Sequence, residues 1–123
     1  RLAMAFQMLF PGAPAIYYGD ELGMTGENDP GCRGGMAWDT PDKALHAWQK
    51  ELIALRKKHQ SLRTGAYRML AAKDNLFAFQ RADQKDCVIT VFNTGDKPQQ
   101  LDLTDAEEPV HIPPHSVKII KRP

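Results

Sequence analysis

The sequence has few cysteines, no long apolar run and almost no excess of charge of either sign. Among its 123 residues, 16 Lys and Arg face 15 Asp and Glu, which leaves a formal net charge of +1. Such a balance gives no field that attracts polyanions, so we expect neither nucleic acid nor a membrane surface as a partner. The apolar runs are much shorter than the roughly 20 residues of a membrane-spanning helix. We therefore expect no membrane segment.

The two cysteines, Cys32 and Cys87, lie far apart and lack the short paired spacing of zinc or redox sites. Two free thiols are expected; a single long-range disulfide is the alternative that the sequence leaves open. A low cysteine count fits a reducing compartment at least as well as an exported one, and we expect a cytoplasmic location. None of the four histidines has a partner at metal-ligand spacing. We therefore predict no metal site and no bound cofactor.

The composition and the hydrophobic pattern together predict a folded chain with two parts. Hydrophobic residues make up 42% and charged residues 25%, as in ordinary globular proteins. A length of 123 residues suits one domain or two small ones. Near Gly65 the hydrophobic period changes from helical to alternating. We therefore divide the chain into residues 1–64, an α/β part, and residues 65–123, an all-β part.

The pattern of the first part predicts a helix, a strand, a long loop and a second helix. Apolar residues share one helical face over residues 2–10, and Pro11 and Gly12 end that helix. Residues 15–18 form an apolar run that favours a strand covered on both faces in a parallel sheet. Residues 19–40 contain glycine, proline and acids without a sustained period, which predicts a long functional loop.

The second helix is predicted to begin at Pro41, with Asp39 or Thr40 as its cap. It is expected to end near His59, and its basic residues 57–59 are expected to form a solvated end that favours the helix dipole. An apolar stripe along it predicts the buried face: Leu45, Trp48, Leu52 and Leu55.

The second part predicts a small antiparallel β-sandwich. Short β-rich runs alternate with turn signals: YRML, LFAFQRA, CVITVFN, QQLDL, PVHI and SVKII. Strands this short suit a sandwich in which one face of each sheet meets the core. We expect the acidic run of Asp105, Glu107 and Glu108 to be a solvated turn. The candidate inward residues are Ile89, Val91, Leu101, Leu103, Ile112 and Ile119.

Three motifs carry a resemblance to a known family. GAPAIYYGDELGM, residues 12–24, resembles the segment around the eighth barrel strand of the α-amylase family, glycoside hydrolase family thirteen. NDPGCRGGMAWD, residues 28–39, is similar to the neopullulanase, cyclomaltodextrinase and maltogenic amylase group. ALRKKHQSLRTG, residues 54–65, resembles the last barrel helix and its exit into a C-terminal domain. The β-part shares strand order and the phrases FAFQR and VITVFN.

The resemblance implies the C-terminal part of a (β/α)₈ enzyme that cleaves α-glucosidic bonds with retention of configuration. The family's catalytic carboxylates belong to the fourth, fifth and seventh strands, which would precede Arg1. The chain also begins within a helix and without an initiating Met, so we interpret it as a fragment that is inactive alone. The rival interpretation is an amylase-like scaffold or a carbohydrate-binding module. Because the β-part contains no Trp, the sequence favours the enzyme fragment over a carbohydrate-binding module.

Four residues are the candidates for contact with an α-glucan, and each has an alternative. Asp20 and Glu21 would lie at the C-terminal face of a barrel, where active sites are built. They either shape that site or are exposed turn acids; as neighbours they do not suit the opposed pair that retaining hydrolysis needs. Tyr18 is the pocket candidate at the end of the strand. Arg33 either contacts sugar or pairs with Asp29 or Asp39 to hold the loop.

The aromatic and exposed apolar residues give three further expectations. Trp38 can stack on a sugar ring, but core packing is the commoner fate of tryptophan; Trp48 is expected in the core. One strand and two helices cannot close a barrel, so apolar faces would be open to water. We expect the isolated chain to self-associate through such a patch. Its predicted members are Phe6, Leu9, Ile16 and Tyr17.

Overall fold

A computed structural model describes residues 1–104 and 106–123 of the chain. Asp105, part of the acidic run predicted to be a solvated turn, lies outside the described residues, whereas Glu107 and Glu108 are exposed. The helices are α1 (Leu2–Leu9), α2 (Lys43–Lys58) and α3 (Ser61–Thr64). The strands are β1 (Ala66–Lys73), β2 (Leu76–Ala82), β3 (Cys87–Asn93), β4 (Gln99–Leu101), β5 (Val110–Ile112) and β6 (Ser116–Arg122).

Helix α1 forms and ends as the sequence predicts. Its inward side buries Ala5, Met8 and Leu9, and Phe10 follows it with an extended backbone. Pro11 cannot continue a helix, and Gly12 then takes a φ of 114°, a conformation that glycine adopts without strain. Because Leu9 is fully buried on this inward side, its predicted place in an exposed self-association patch is wrong.

Helix α2 begins later than predicted and ends where predicted. Asp42 is its cap, and one of its carboxylate oxygens accepts the Leu45 N–H at 2.8 Å. The Asp42 N–H donates to the Leu22 carbonyl at 2.9 Å, so the chain stays tied to the preceding loop up to this point. The helix ends at Lys58 with His59 as its C-terminal cap.

His59 is not solvated, contrary to the expectation for the basic helix end. It is 8% exposed, and its Nδ1 lies 2.9 Å from Oδ2 of Asp86 in the turn between β2 and β3. The turn supplies a polar partner that the local sequence pattern does not reveal. Lys57 and Lys58 are exposed, as expected.

The strand predicted over residues 15–18 is not formed. This segment is extended, but in the described part of the chain no strand lies beside it, and all four residues are exposed. A β-strand is stabilised by hydrogen bonds to a neighbour, so the apolar run alone is not sufficient. The expectation that the run is covered on both faces is wrong for this chain.

The β-part is antiparallel, as predicted. Four strands form a sheet in the order β1-β2-β3-β6, and β4 pairs with β5 in a separate two-stranded sheet. The β4–β5 sheet packs on one face of the larger sheet. A hydrophobic cluster lies between them, formed by Ala78, Ile89, Val91, Leu101, Leu103 and Ile112. Five of the six predicted inward residues belong to this cluster.

The opposite face of the four-stranded sheet is also covered, by the helices. Phe79, Val88 and Phe92 from the sheet pack with Leu9 of α1 and Leu52 of α2. Ile119, predicted on the inter-sheet side, packs against this second cluster instead, because alternation along β6 places it on the helix side. The core is therefore continuous across residues 64 and 65, and the division there into two domains stays a prediction.

Gly65 lies where α3 meets the sheet. A Cβ at this position would meet the Ser61 carbonyl oxygen at 2.5 Å and the Ala82 carbonyl oxygen at 2.7 Å. Only a residue without a side chain permits this approach, which brings the helices onto β2.

Candidate functional site

Asp20 and Glu21 lie in a single helical turn, Asp20–Leu22, that follows the extended segment. Gly19 and Gly23 flank the turn with φ of 91° and 74°, which the sequence provides by placing glycine at both positions. One Glu21 carboxylate oxygen accepts the Gly19 N–H at 2.9 Å, so this side chain is folded back on its own backbone. Asp20 is exposed, and among the described contacts its carboxylate accepts no hydrogen bond from the protein. The two acids therefore have different local roles.

Two tyrosines attach the extended segment to the long loop. The Tyr18 hydroxyl donates to the Gly34 carbonyl at 2.9 Å, and the Tyr17 hydroxyl donates to the Cys32 carbonyl at 3.4 Å. Their ring centroids are 4.9 Å apart at an interplanar angle of 41°. Partial desolvation, followed by the neighbouring Tyr18 and Cys32, raises the pKa of the Tyr17 hydroxyl. The Tyr17 hydroxyl therefore stays a protonated donor at neutral pH.

Arg33 forms the pair that was its alternative in the sequence analysis. Its Nη1 lies 3.5 Å from Oδ2 of Asp29, and the two side chains are 71% and 60% exposed. An ion pair this exposed contributes little to stability, about 0–1 kcal/mol. The arginine therefore remains accessible on the loop, and its contact with a sugar stays a prediction.

A cleft of about 320 Å³ brings some of the predicted site residues together. Tyr18 and Asp20 both line it, with Tyr17, Met24 and Cys32. Arg33 and Glu21 are not among its lining residues. The wall thus offers two aromatic rings and a carboxylate that can accept hydroxyl groups. This is a combination that suits a polyhydroxylated ligand with apolar faces.

A larger open cleft of about 550 Å³ lies beside the first, between α1 and α2. Asp20 and Met24 line both clefts, whereas Met4, Ile16 and Leu45 supply the apolar wall of the larger one. The Asp20–Leu22 turn therefore separates two concave surfaces. Its position follows from the Leu22 side chain, which is buried at 7% exposure and holds the turn against α2.

One of the two tryptophans, Trp38, differs from the expectation of core packing. Trp38 is 74% exposed on the loop, so the expectation of core packing is wrong for this residue. Trp48 is half-buried against the helix-side core, as its place on the α2 stripe predicts. Its indole N–H donates to the Arg1 carbonyl at 3.2 Å.

Two residues that hold the site's backbone were not singled out from the sequence. Arg56 of α2 donates to carbonyl groups at the end of α1 and in the turn after it, and Gln7 donates to the Ala15 carbonyl. Burial, with Arg63 as a second cause, lowers the pKa of the Arg56 guanidinium. One signal was present: Arg56 lies one helical turn after Leu52, on the buried side of an amphipathic helix, where a charged residue needs partners.

The described residues offer no evident metal centre or membrane helix. Among them, no group of three or more His, Cys, Asp and Glu side chains is arranged to hold a metal ion. No helix within residues 1–104 and 106–123 is long and apolar enough to cross a membrane. Cys32 and Cys87 are both free, with Cys32 exposed on the loop.

Comparison with known proteins adds relatives of stated activity. No protein-family model matches the sequence. A cyclomaltodextrinase from Geobacillus thermopakistaniensis is 41% identical over 107 residues, which cover 84% of this chain and 18% of the relative. Neopullulanase 2 from Thermoactinomyces vulgaris is 43% identical over 105 residues, which cover 82% of this chain and 18% of the relative.

Solved structures agree with this similarity. The crystal structure of a maltogenic amylase from S. marinus superposes with a TM-score of 0.86 at 30% identity, covering 98% of this chain and 19% of that chain. The chain thus spans 18% to 19% of the length of these relatives. The matched part lies in their C-terminal region. By sequence and by fold, the chain belongs to the α-amylase family of glycoside hydrolases, with a cyclomaltodextrinase, a neopullulanase and a maltogenic amylase among its relatives.

Proposed function

We propose that the chain is the C-terminal part of a retaining α-glucan hydrolase. In this proposal residues 1–64 are the end of a (β/α)₈ barrel, and residues 65–123 are the domain that follows it. The chain supplies a loop that faces the substrate, whereas the catalytic carboxylates lie on earlier strands outside these residues. The relatives' names, cyclomaltodextrinase and neopullulanase, favour cyclodextrins and pullulan as substrates.

The observation that carries the proposal is the cleft lined by Tyr18 and Asp20 directly after the extended segment. In barrel enzymes the active site is built from the loops that follow the C-terminal ends of the strands. Residues 15–18 are extended, apolar and without a neighbouring strand in the described part of the chain. Pairing with further barrel strands would satisfy their backbone and would bring the cleft to the centre of a site.

The local acids are unsuited to the chemical step. Retaining hydrolysis uses two carboxyl groups about 5–5.5 Å apart on opposite sides of the glycosidic bond. Asp20 and Glu21 are adjacent on one short turn, and the Glu21 carboxylate is engaged by the Gly19 N–H. In the proposal Asp20 accepts sugar hydroxyls, and Glu21 fixes the turn that presents Asp20.

The β-domain has a structural role in this proposal. Its sheet covers α1 and α2 through Phe79, Val88 and Phe92. Among its described residues, Tyr67 is the one aromatic side chain that is well exposed, at 41%. A single tyrosine at a sheet edge offers a poor stacking surface for sugar rings, so no observation favours a carbohydrate-binding module.

A chimera tests the proposal. Residues 1–123 would replace the matching C-terminal part of the Geobacillus cyclomaltodextrinase, and cyclodextrin and pullulan hydrolysis would be measured. We expect an active chimera, because the chain is 41% identical to that relative over 107 residues. A chimera that folds but hydrolyses neither substrate would contradict the proposal.

Variants of that chimera test the cleft. Asp20→Asn and Tyr18→Ala are expected to raise KM for cyclodextrin by about tenfold, since each removes a contact worth about 1–2 kcal/mol. Glu27→Gln is the matched control, because Glu27 is exposed on the same loop and lines neither cleft. Equal effects of all three variants would show that the cleft does not bind substrate.

A further inference from the structure

We propose that Arg56 is a positioning residue for the α-glucan site, acting through the turn that leads from α1 into the segment carrying Tyr18 and Asp20. The inference rests on the proposed function, because it concerns the same loop. Arg56 lies on α2 and lines neither cleft, so any effect on substrate passes through the backbone that it holds.

The guanidinium of Arg56 binds three backbone carbonyl groups on both sides of Pro11. Its Nη1 donates to the Met8 carbonyl at 2.6 Å and lies 3.4 Å from the Phe10 carbonyl. Its Nη2 donates to the Gly12 carbonyl. The last carbonyl groups of a helix lack intrahelical partners, and Arg56 provides them for α1. The planar fork of an arginine can reach these groups together, which a lysine ammonium cannot.

Burial of the Arg56 guanidinium is unfavourable for the stability of the fold. Arg56 is 9% exposed, and all its described hydrogen bonds go to carbonyl groups, none to a carboxylate. Burial of a cation without a counter-ion is unfavourable, so a leucine would fill this apolar side of α2 more simply. A charged residue here indicates that the geometry of the turn matters.

Two other arginines show what is particular to Arg56. Arg63 donates to the Arg56 and Lys57 carbonyls and so caps α2, and Arg81 donates to the Leu62 carbonyl at 3.1 Å and the Gly65 carbonyl at 2.9 Å and so caps α3. Arg63 lies on α3 and binds the end of α2, whereas Arg81 lies on β2 and binds the end of α3. Of the three, Arg56 is the one whose bonds reach the segment that leads into the site. Arg63 therefore offers a matched control.

The path from the turn to the cleft is short and restricted. Pro11 and Pro14 fix two backbone φ angles between α1 and residue 15. Gln7 of α1 adds a second tie by donating to the Ala15 carbonyl. A shift at Gly12 is therefore passed along the extended segment to Tyr18 and Asp20, with no sheet to correct it in the described part of the chain. Displacements of about 1 Å in a site can reduce rates by up to about 100-fold.

Hydrogen exchange on the 123-residue chain tests the positioning step without any activity. Arg56→Ala is expected to speed amide exchange about tenfold or more at Gly19 and Asp20, whose amides within residues 13–21 are hydrogen-bonded, because the segment opens more easily without its tie to α2. Arg63→Ala is expected to speed exchange at residues 57–64 and not in the segment. Added methylguanidinium should slow amide exchange in this segment of the Arg56→Ala variant again. If Arg56→Ala does not fold, Arg56→Lys keeps a cation on α2 and still frees the Gly12 carbonyl.

Kinetics of the chimera test the consequence for the site. We expect Arg56→Ala to lower kcat/KM for cyclodextrin by about 10- to 100-fold and methylguanidinium to restore part of it. Arg63→Ala should stay within about twofold, because Arg63 binds carbonyl groups at the end of α2 and does not hold the segment that leads into the site. Equal losses in both variants, or unchanged exchange in residues 13–21, would overturn the inference. If the unsubstituted chimera is inactive while the exchange result holds, the proposed function fails and the positioning of the segment stands.

Discussion

At the scale of single residues, the chain depends on side chains that satisfy backbone groups more than on ion pairs. The Arg33–Asp29 pair is largely exposed, whereas Arg56, Arg81 and Asn93 are buried and bind main-chain atoms. Hydrogen bonds of this kind matter because an unpaired buried carbonyl costs about 1–3 kcal/mol. The residues that fix the fold are therefore polar residues inside it.

Asn93 is the clearest case in the β-domain. Its side-chain nitrogen donates to the carbonyls of Lys97, Ile112 and Pro113, at 2.8, 3.2 and 3.0 Å, and its oxygen accepts the Gly95 N–H at 3.0 Å. We expect Asn93→Ala to lower the free energy of unfolding by about 1–3 kcal/mol, measured by urea denaturation. Asn28→Ala, on the exposed loop, should change it by less than about 0.5 kcal/mol. Equal values for the two variants would contradict this role.

The sequence indicates where a residue lies when that position depends on the local pattern. Tyr18 ends the apolar run and Asp20 follows it closely, and both line the cleft; their contact with substrate stays a prediction. Arg56 was not a candidate, because its partners lie on another element and are backbone carbonyl groups, which every residue has and which residue types therefore do not reveal. Trp38 was expected to prefer the core, but its exposure depends on a loop whose conformation no local pattern determines.

At the scale of elements, the junction between α2 and the β-sheet contains a buried polar pair. His59 closes α2, and its Nδ1 lies 2.9 Å from Oδ2 of Asp86 in the β2–β3 turn. The nearby Ser61 side chain on α3, and after it His59, lower the pKa of the Asp86 carboxyl below its ordinary value of 3.8, against the opposing effect of burial. The junction therefore favours the ionised carboxylate.

This shift predicts a pH dependence with a definite sign. Because the folded pKa of Asp86 is lower than the unfolded one, its contribution to stability is present above pH 3.8 and is lost as the pH falls through the folded pKa. We expect Asp86→Asn to reduce the free energy of unfolding at neutral pH. The difference from the wild-type chain should narrow below about pH 4, measured by urea denaturation across pH.

The control is Asp96→Asn. Asp96 also bonds a histidine, His115, at 2.7 Å, but the two side chains are 93% and 61% exposed. Such a pair contributes about 0–1 kcal/mol. If the difference in the free energy of unfolding between the wild-type chain and Asp86→Asn stays constant down to pH 2, the stabilising role of the ionised Asp86 carboxylate is contradicted.

Elements were predicted well where each carries its own pattern. Strands β2 and β3 coincide with the runs LFAFQRA and CVITVFN, because alternation along them matches two covered faces. The run at residues 15–18 is as apolar, yet it is not a strand, since a strand also requires a neighbour. The prediction of a β-sandwich with one core placed Ile119 between the two sheets. The larger sheet is covered on both faces, and Ile119 packs on the face covered by the helices.

At the scale of the whole molecule, one side of the helical part is left open. Ile16, Tyr17 and Tyr18 line the two clefts and are 39%, 56% and 41% exposed, and Phe6 on α1 is 40% exposed. Exposed apolar patches of this kind mark surfaces that are normally covered by other protein. In the proposed enzyme the rest of the barrel would cover them.

The isolated chain is therefore predicted to self-associate through this surface. We expect the double substitution Ile16→Ser with Tyr17→Ser to lower the apparent mass in light scattering at equal concentration. Met69→Ser is the control, because Met69 is 57% exposed on the remote strand β1. A wild-type chain that is monomeric at all concentrations would contradict the prediction.

In the proposed enzyme these residues form the substrate side of a site whose catalytic carboxylates lie elsewhere. The most direct test is to trap the covalent glycosyl intermediate of the active chimera with a fluorinated α-glucosyl substrate and to locate the labelled carboxylate by peptide mass spectrometry. Retaining hydrolysis forms such an intermediate on its nucleophile. We predict a label outside the residues contributed by this chain. A label on Asp20 or Glu21 would contradict the proposed function.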